Sequence, residues 1–144
     1  MKLVSFFAGA GGLDLGFQKA GFDIIWANEY DKTIWETYEK NHPNTILDRR
    51  SIRDVKDDEV PDCDGIIGGP PCQAYSLLGR HKKDMDNDPR TLLYLQYGKF
   101  LAKYKPMGFV FENVLGLPSS KKNHFENIKK HFKELGYKVH LAIL

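Results

Sequence analysis

Two side chains in this sequence stand where covalent chemistry could be done, a cysteine raised on a proline turn and a carboxylate ending a separate apolar run. Gly65-Ile66-Ile67 leads directly into Gly68-Gly69-Pro70-Pro71-Cys72-Gln73. The apolar residues read as a short buried strand. Proline lacks an N–H and fixes φ, so the strand must stop there. Cys72 is then presented on a stiff turn at the strand's carboxyl end. In open α/β sheets that edge is where ligands and chemistry collect. A thiol held there is a candidate nucleophile. A free cysteine is more often a small buried hydrophobe, but the prolines argue against that here. Glu112 ends the run Phe109-Val110-Phe111. It is either a solvated strand end or an acid aimed into the same cleft. A thiolate and a carboxyl proton donor together suit addition to an electron-poor ring.

A second pattern could hold a ligand. Phe7-Ala8-Gly9-Ala10-Gly11-Gly12 separates the first strand from the first helix. Glycines let the backbone turn sharply and let a ligand approach closely. A dinucleotide fingerprint would want a third glycine where Asp14 stands. An acid at the helix start also disfavours a pyrophosphate, so a cofactor without phosphates fits better. Glu29 ends the second strand, where an acid accepts hydrogen bonds from ribose hydroxyls. Tyr30 beside it could stack on a purine. The bland alternative is a strand-to-helix turn and a solvated acid. Their occurrence in one βαβ unit favours a nucleoside-bearing cofactor.

The elements that must position these groups alternate along the chain. Strands are expected at Lys2 to Phe7, Asp23 to Glu29, Thr45 to Leu47, Gly65 to Gly69, Met107 to Phe111 and Lys138 to Leu144. A helix over Leu13 to Ala20 should stop at Gly21. Asp31 should cap a second helix through Ile34, Trp35 and Tyr38, closed by Asn41-His42-Pro43. Tyr75 to Asp88 reads as a loop containing the basic run Arg80-His81-Lys82-Lys83, either solvated or a phosphate-contacting lid. Asp88-Pro89 starts a third helix with the apolar face Leu93, Tyr97, Phe100, Leu101 and Tyr104. Ser119 or Ser120 caps a fourth with Phe125, Ile128, Phe132 and Leu135, stopped by Gly136. This order predicts an α/β fold: a mostly parallel sheet with helices on both faces.

Composition narrows the classes. The chain has 144 residues, 42% of them hydrophobic, and a net charge of +2. One domain or part of one is expected, with no internal boundary. The weak positive charge permits a nucleic-acid partner without requiring one. No stretch is apolar enough for a membrane span, and Asp14 and Gln18 interrupt any signal-like start. The two cysteines, Cys63 and Cys72, suggest no disulfide framework, and a reducing, cytoplasmic setting is expected. His42, His81, His124, His131 and His140 lack ligand spacing, so no metal is expected.

Taken together these residues resemble the amino-terminal half of a DNA (cytosine-5)-methyltransferase, over essentially the whole chain. Residues 7–12 resemble the family's first motif, which holds the methionine part of S-adenosylmethionine. Asn28-Glu29-Tyr30-Asp31 resembles the second, with the acid on the ribose and the aromatic on adenine. Pro70-Pro71-Cys72-Gln73-Ala74-Tyr75-Ser76 resembles the catalytic motif. Asp88-Pro89-Arg90 with Leu92 resembles the helix motif after it, and Glu112-Asn113-Val114 the motif bearing the catalytic acid. The resemblance implies an S-adenosylmethionine-dependent Rossmann-like fold and methylation of carbon 5 of cytosine in double-stranded DNA, of the restriction-modification type. The target base would be flipped out of the duplex. Cys72 would attack and Glu112 would hydrogen-bond ring nitrogen 3. Phe7, Ala8, Gly9, Ala10, Gly11, Gly12, Leu13, Glu29, Tyr30, Ser51, Ile52, Pro71 and Leu92 would bind the cofactor, which leaves as S-adenosylhomocysteine. Gln73, Ser76, Arg80 and Asn113 would lie near the DNA. Use at the bacterial nucleoid is implied.

Two departures from the family pattern stand out. Arg49-Arg50-Ser51-Ile52 has Ser51 where the family usually places an acid for the adenine amino group. The family's later arginine motif, antiparallel seventh strand, recognition region and carboxyl-terminal helix are absent from residues 1–144. An incomplete catalytic domain is therefore expected, with a complementing carboxyl-terminal polypeptide as partner and the last strand lacking its inner neighbour. Two alternatives remain: a catalytically silent cofactor-binding or assembly module, and a transfer-RNA cytosine-5 methyltransferase.

Overall fold

A computed structural model describes residues 1–71, 93–114 and 124–143. The described residues fall into two compact units. The first, Met1–Gly69 with Lys103–Glu112, contains the sheet. Its strands are β1 (Lys2–Phe6), β2 (Asp23–Asn28), β3 (Ile46–Asp48), β4 (Gly65–Gly68) and β5 (Gly108–Phe111). They lie in the order β3-β2-β1-β4-β5, and all four pairings are parallel. The parallel sheet expected from the alternating pattern is therefore present. From β1 the chain steps outward to β2 and β3, then returns past β1 to β4. The sheet's topological switch lies between β1 and β4, where such sheets open a crevice.

β1 is buried along four of its five residues, as a central parallel strand covered on both faces must be. Leu3, Ile24 and Ile67 form a core cluster against Leu13, Phe17 and Phe22. Helix α1 (Gly12–Lys19) supplies Leu13 and Phe17. It ends as its sequence predicts. Gly21 is left-handed at φ +89°, its N–H donates to the Gln18 carbonyl, and the Phe22 N–H donates to the Phe17 carbonyl. This is the glycine stop of a Schellman motif, with Phe17 and Phe22 in edge contact at 5.4 Å.

Helix α2 (Trp35–Asn41) starts later than expected. Asp31 does not cap it. The Asp31 carboxylate accepts from the Thr33 backbone N–H and hydroxyl, and the Ile34 N–H bonds the Asp31 carbonyl. The side chain is used up in a local turn, which delays the helix.

In the second unit, Pro70–Ala102 with Asn113–Leu144, Tyr97 of α3 (Leu93–Tyr104) meets Phe132 of α4 (His124–Glu134) at 6.0 Å. Gly98 is required there, since a Cβ would stand 2.2 Å from His131 Nε2. Gly136 stops α4 at φ +94°, as expected, with the same pair of hydrogen bonds as Gly21. The strand expected over Lys138 to Leu144 does not form: residues 138–143 carry no strand. A strand is defined by its ladder, and β-rich composition alone does not supply a partner. The expected loop over Tyr75 to Asp88, the Asp88-Pro89 helix start and the Ser119 or Ser120 cap lie outside the described residues. No helix among the described residues is long and apolar enough to cross a membrane.

Candidate active site

The site is built on the carboxyl ends of β1, β4 and β5. A cavity of about 180 Å³ lies there, lined by Ser5, Phe7, Ala8, Leu13, Asp14, Gly68, Gly69 and Glu112. It occupies the switch point that the topology dictates. The glycine turn forms one wall. Phe7 is left-handed at φ 56°, uncommon for a residue with a side chain, and Gly9 and Gly11 are left-handed at 57° and 84°. Such strained backbone persists where the surroundings over-determine it. Here the Ala8 N–H is tied to the Asn28 carbonyl at 3.1 Å, and the Gly9 N–H to Glu29 Oε2 at 2.8 Å.

Glu29 thus joins the turn to the end of β2. Its Oε1 also accepts from the Asp31 N–H at 2.7 Å, and its carbonyl accepts from the Trp35 indole at 2.8 Å. A carboxylate offers about four acceptor positions, so each Glu29 oxygen keeps capacity for a ligand hydroxyl. Tyr30 beside it is 72% exposed, with its ring free of the core. Asn28 is buried and ties the Asp48 and Arg50 carbonyls to the end of β2. Beyond them, Ser51 is half-buried, with its hydroxyl 3.4 Å from the Arg53 N–H. Ile52 is buried.

Glu112 stands at the end of β5. Its N–H donates to the Gly68 carbonyl at 2.8 Å. Its carboxylate lies against Gly69, where a Cβ would come within 2.8 Å of Oε2 and 3.2 Å of the Glu112 carbonyl. Gly69 therefore serves as the gap that admits the acid. In the second unit, Asn113 donates its amide to the Pro70 carbonyl at 3.1 Å and accepts from the Val114 N–H. That bond steadies the proline pair at Pro70 and Pro71. Cys72, Gln73, Ser76, Arg80 and Leu92 lie outside the described residues.

Four residues around the turn were not among the site residues expected from the sequence. Ser5, in central strand β1, donates to Asp14 Oδ1 at 2.6 Å, and Tyr38 of α2 donates to Oδ2 at 2.5 Å. Asp14 is fully buried. Burial pushes its carboxyl up from the usual range, while the hydrogen bonds from Ser5 and Tyr38 and nearby His42 counteract this. His42 lies under Gly11, with Nε2 3.0 Å from the Gly11 carbonyl. The available signal was Ser5, a polar residue inside the apolar run of β1. The other cysteine, Cys63, is a poor nucleophile: burial, then Asp64 and Asp62, pushes its thiol up to about 11.

The chain is similar to known proteins along its whole length. The chain is 50% identical to the Type II methyltransferase M.FnuDI of Fusobacterium nucleatum, over 100% of the chain and 41% of that protein. It is 47% identical to the Type II methyltransferase M.NgoPII of Neisseria gonorrhoeae, over 99% of the chain and 42% of that protein. The chain thus spans about two-fifths of the length of these relatives. Among solved structures it superposes on a prophage-encoded E. coli protein described as a DNA modification methyltransferase. The TM-score is 0.74 at 29% identity, covering 94% of this chain and 37% of that one. The model of the C-5 cytosine-specific DNA methylase family matches residues 1–144, and the chain belongs to that family.

Proposed function

We propose that this chain supplies the cofactor-binding and catalytic half of an enzyme that methylates carbon 5 of cytosine in double-stranded DNA, of the restriction-modification type. The observation that carries the reading is the shared cavity at the sheet's switch point, where the Glu112 carboxylate and the glycine turn line one space. S-adenosylmethionine fits the donor set, and when bound it supplies an electrophilic methyl group. The left-handed turn over residues 7–12 receives its methionine part. Glu29 accepts from the ribose hydroxyls with its remaining lone pairs. Tyr30 stacks on the adenine, and Ser51, Ile52, Pro71 and Leu92 complete its surroundings.

Cys72 acts as the nucleophile. Its thiolate forms a bond to carbon 6 of the flipped cytosine, and the electron pair moves toward carbon 5. Glu112 hydrogen-bonds ring nitrogen 3 and offsets the charge that develops there. S-adenosylmethionine held by these residues would supply the methyl group to carbon 5, its sulfur keeping the S–CH3 electron pair and leaving as S-adenosylhomocysteine. A base then removes the carbon 5 proton, and the electron pair returns as the Cys72–carbon 6 bond breaks. Gln73, Ser76, Arg80 and Asn113 face the DNA, and a carboxyl-terminal polypeptide supplies target recognition.

Calorimetry with S-adenosylmethionine tests the cofactor site. Covalent trapping on 5-fluorocytosine DNA, with a complementing carboxyl-terminal half, tests the chemistry. Binding with trapping that disappears in Cys72→Ser is the expected result. Cofactor binding with no trapping by the complemented wild type would leave a silent binding module and refute the catalytic assignment.

A further inference from the structure

Two buried side chains, Tyr38 in α2 and His42 just past its last residue, reach back to the glycine turn, and no step of the proposed chemistry uses them. Tyr38 and His42 are four residues apart, so they share one face of the chain there. Their rings stack at 4.5 Å and 29°. Tyr38 holds Asp14. His42 holds the turn itself. A carbonyl only accepts, so the ring nitrogen Nε2, 3.0 Å from the Gly11 oxygen, carries a hydrogen. Nδ1 lies 2.9 Å from the side-chain amide of Gln18, which can present its oxygen or, turned over, its NH₂. Both ring nitrogens are therefore satisfied. The ring also occupies the space in front of Gly11, where a Cβ would stand 2.1 Å from Nε2.

We infer that His42 is a positioning residue for the cofactor, fixing the Gly11 carbonyl and with it the turn between Ala8 and Leu13 that walls the cavity. The inference rests on the cofactor reading above. Glycines in the left-handed region hold no conformation by themselves. The turn is ordered by what grips it: the Ala8 N–H bonds the Asn28 carbonyl, the Gly11 N–H the Ala8 carbonyl and the Leu15 N–H the Gly11 carbonyl, and two side chains add to these backbone bonds. Glu29 takes the Gly9 N–H, and His42 takes the Gly11 carbonyl. Glu29 is itself a ligand-facing group. His42 is 1% exposed, so its part is preorganisation and not contact. A turn already held in its binding geometry spares the ligand that ordering cost.

The test uses two variants of nearly equal length. His42→Gln can return a donor N–H to the Gly11 carbonyl, and His42→Met cannot. Calorimetry with S-adenosylmethionine and hydrogen exchange of residues 7–13 without cofactor are measured on the 144-residue chain. His42→Gln should stay within about threefold of wild type in affinity. His42→Met should bind about tenfold more weakly, the scale of one lost buried hydrogen bond. Exchange at the turn should rise about tenfold in His42→Met only, with similar thermal midpoints for the two variants. Equal losses in both variants, or none in His42→Met, would overturn the assignment. If wild type fails to bind the cofactor, the cofactor reading fails. The exchange comparison then still decides whether His42 holds the turn.

Discussion

Gly11→Ala should be among the most damaging single changes in this chain, and its neighbours provide the controls. Gly11 sits at φ +84°. An L-residue there costs about 1–2 kcal/mol from backbone sterics alone. The added Cβ would also stand 2.1 Å from His42 Nε2, 2.5 Å from Cδ2 and 3.1 Å from Tyr38 Cδ2. A surface side chain would simply swing away. His42 is 1% exposed and stacked on Tyr38, so it can move only by overpacking the core, at about 1–3 kcal/mol. Its bond to the Gly11 carbonyl is lost as well, at about 1 kcal/mol. The total is about 3–6 kcal/mol, a large share of a typical domain's stability of about 5–15 kcal/mol. Gly9 is also left-handed, at φ +57°, but nothing lies within 4 Å of a Cβ there. Gly9→Ala should therefore cost only the backbone part, about 1–2 kcal/mol. Gly12 opens α1 with equally free space, and Gly12→Ala should be neutral or stabilise by up to about 1 kcal/mol. Urea unfolding followed by far-ultraviolet circular dichroism reads all three. At about 2 kcal/mol per molar, Gly11→Ala should move the midpoint down by about 1.5–3 M. Adding His42→Ala to Gly11→Ala should cost less than the two single changes together, because the clash is gone. Equal destabilisation by Gly11→Ala and Gly9→Ala, or strictly additive costs in the double variant, would refute the reasoning.

Three further outcomes are expected. Gly69→Ala places a Cβ 2.8 Å from Glu112 Oε2 and 3.2 Å from its carbonyl oxygen. It should cost about 1–3 kcal/mol in urea unfolding and, in the complemented enzyme, reduce trapping on 5-fluorocytosine DNA while cofactor affinity changes little. Asp14 has its folded-state carboxyl raised by burial above the ordinary 3.8. The folded chain thus binds that proton more tightly than the unfolded one, and the stabilisation present below pH 3.8 is lost as pH rises through the folded value. Asp14→Asn should gain stability relative to wild type between pH 4 and pH 7, and a constant difference across that range would argue against the assignment. Cys63, with its thiol pushed up to about 11, should resist iodoacetamide at pH 8. In Cys72→Ser the remaining thiol should label slowly at that pH and faster as pH approaches 11, as followed by intact mass.

Much of this architecture was legible because its signals are local. The glycine stops at Gly21 and Gly136 required only a residue tolerant of positive φ at the right place, and both formed as read. The parallel order followed from strands alternating with helices. The turn at residues 7–12, Glu29 and Glu112 were each found at the end of an apolar run, which places them on one edge of a parallel sheet. Asp31 shows where local reading fails: the residue type suits a cap, but its own turn claimed the side chain first. Lys138 to Leu144 shows another failure, since β-rich composition cannot say whether a partner strand is present.

The network around Gly11 belongs wholly to the tertiary structure. Ser5 and Asp14 are nine residues apart, Asp14 and Tyr38 twenty-four, and Gly11 and His42 thirty-one. No periodicity links such positions, and each residue has an ordinary local explanation when taken alone. Only packing α1 and α2 beside the first strand brings a serine, a carboxylate, a phenol and an imidazole into one buried set. Once there, each must be paired, because an unpaired buried polar group costs about 1–3 kcal/mol. The candidate site residues were written in the sequence, and the geometry that holds the glycine turn against its cavity was decided by the fold.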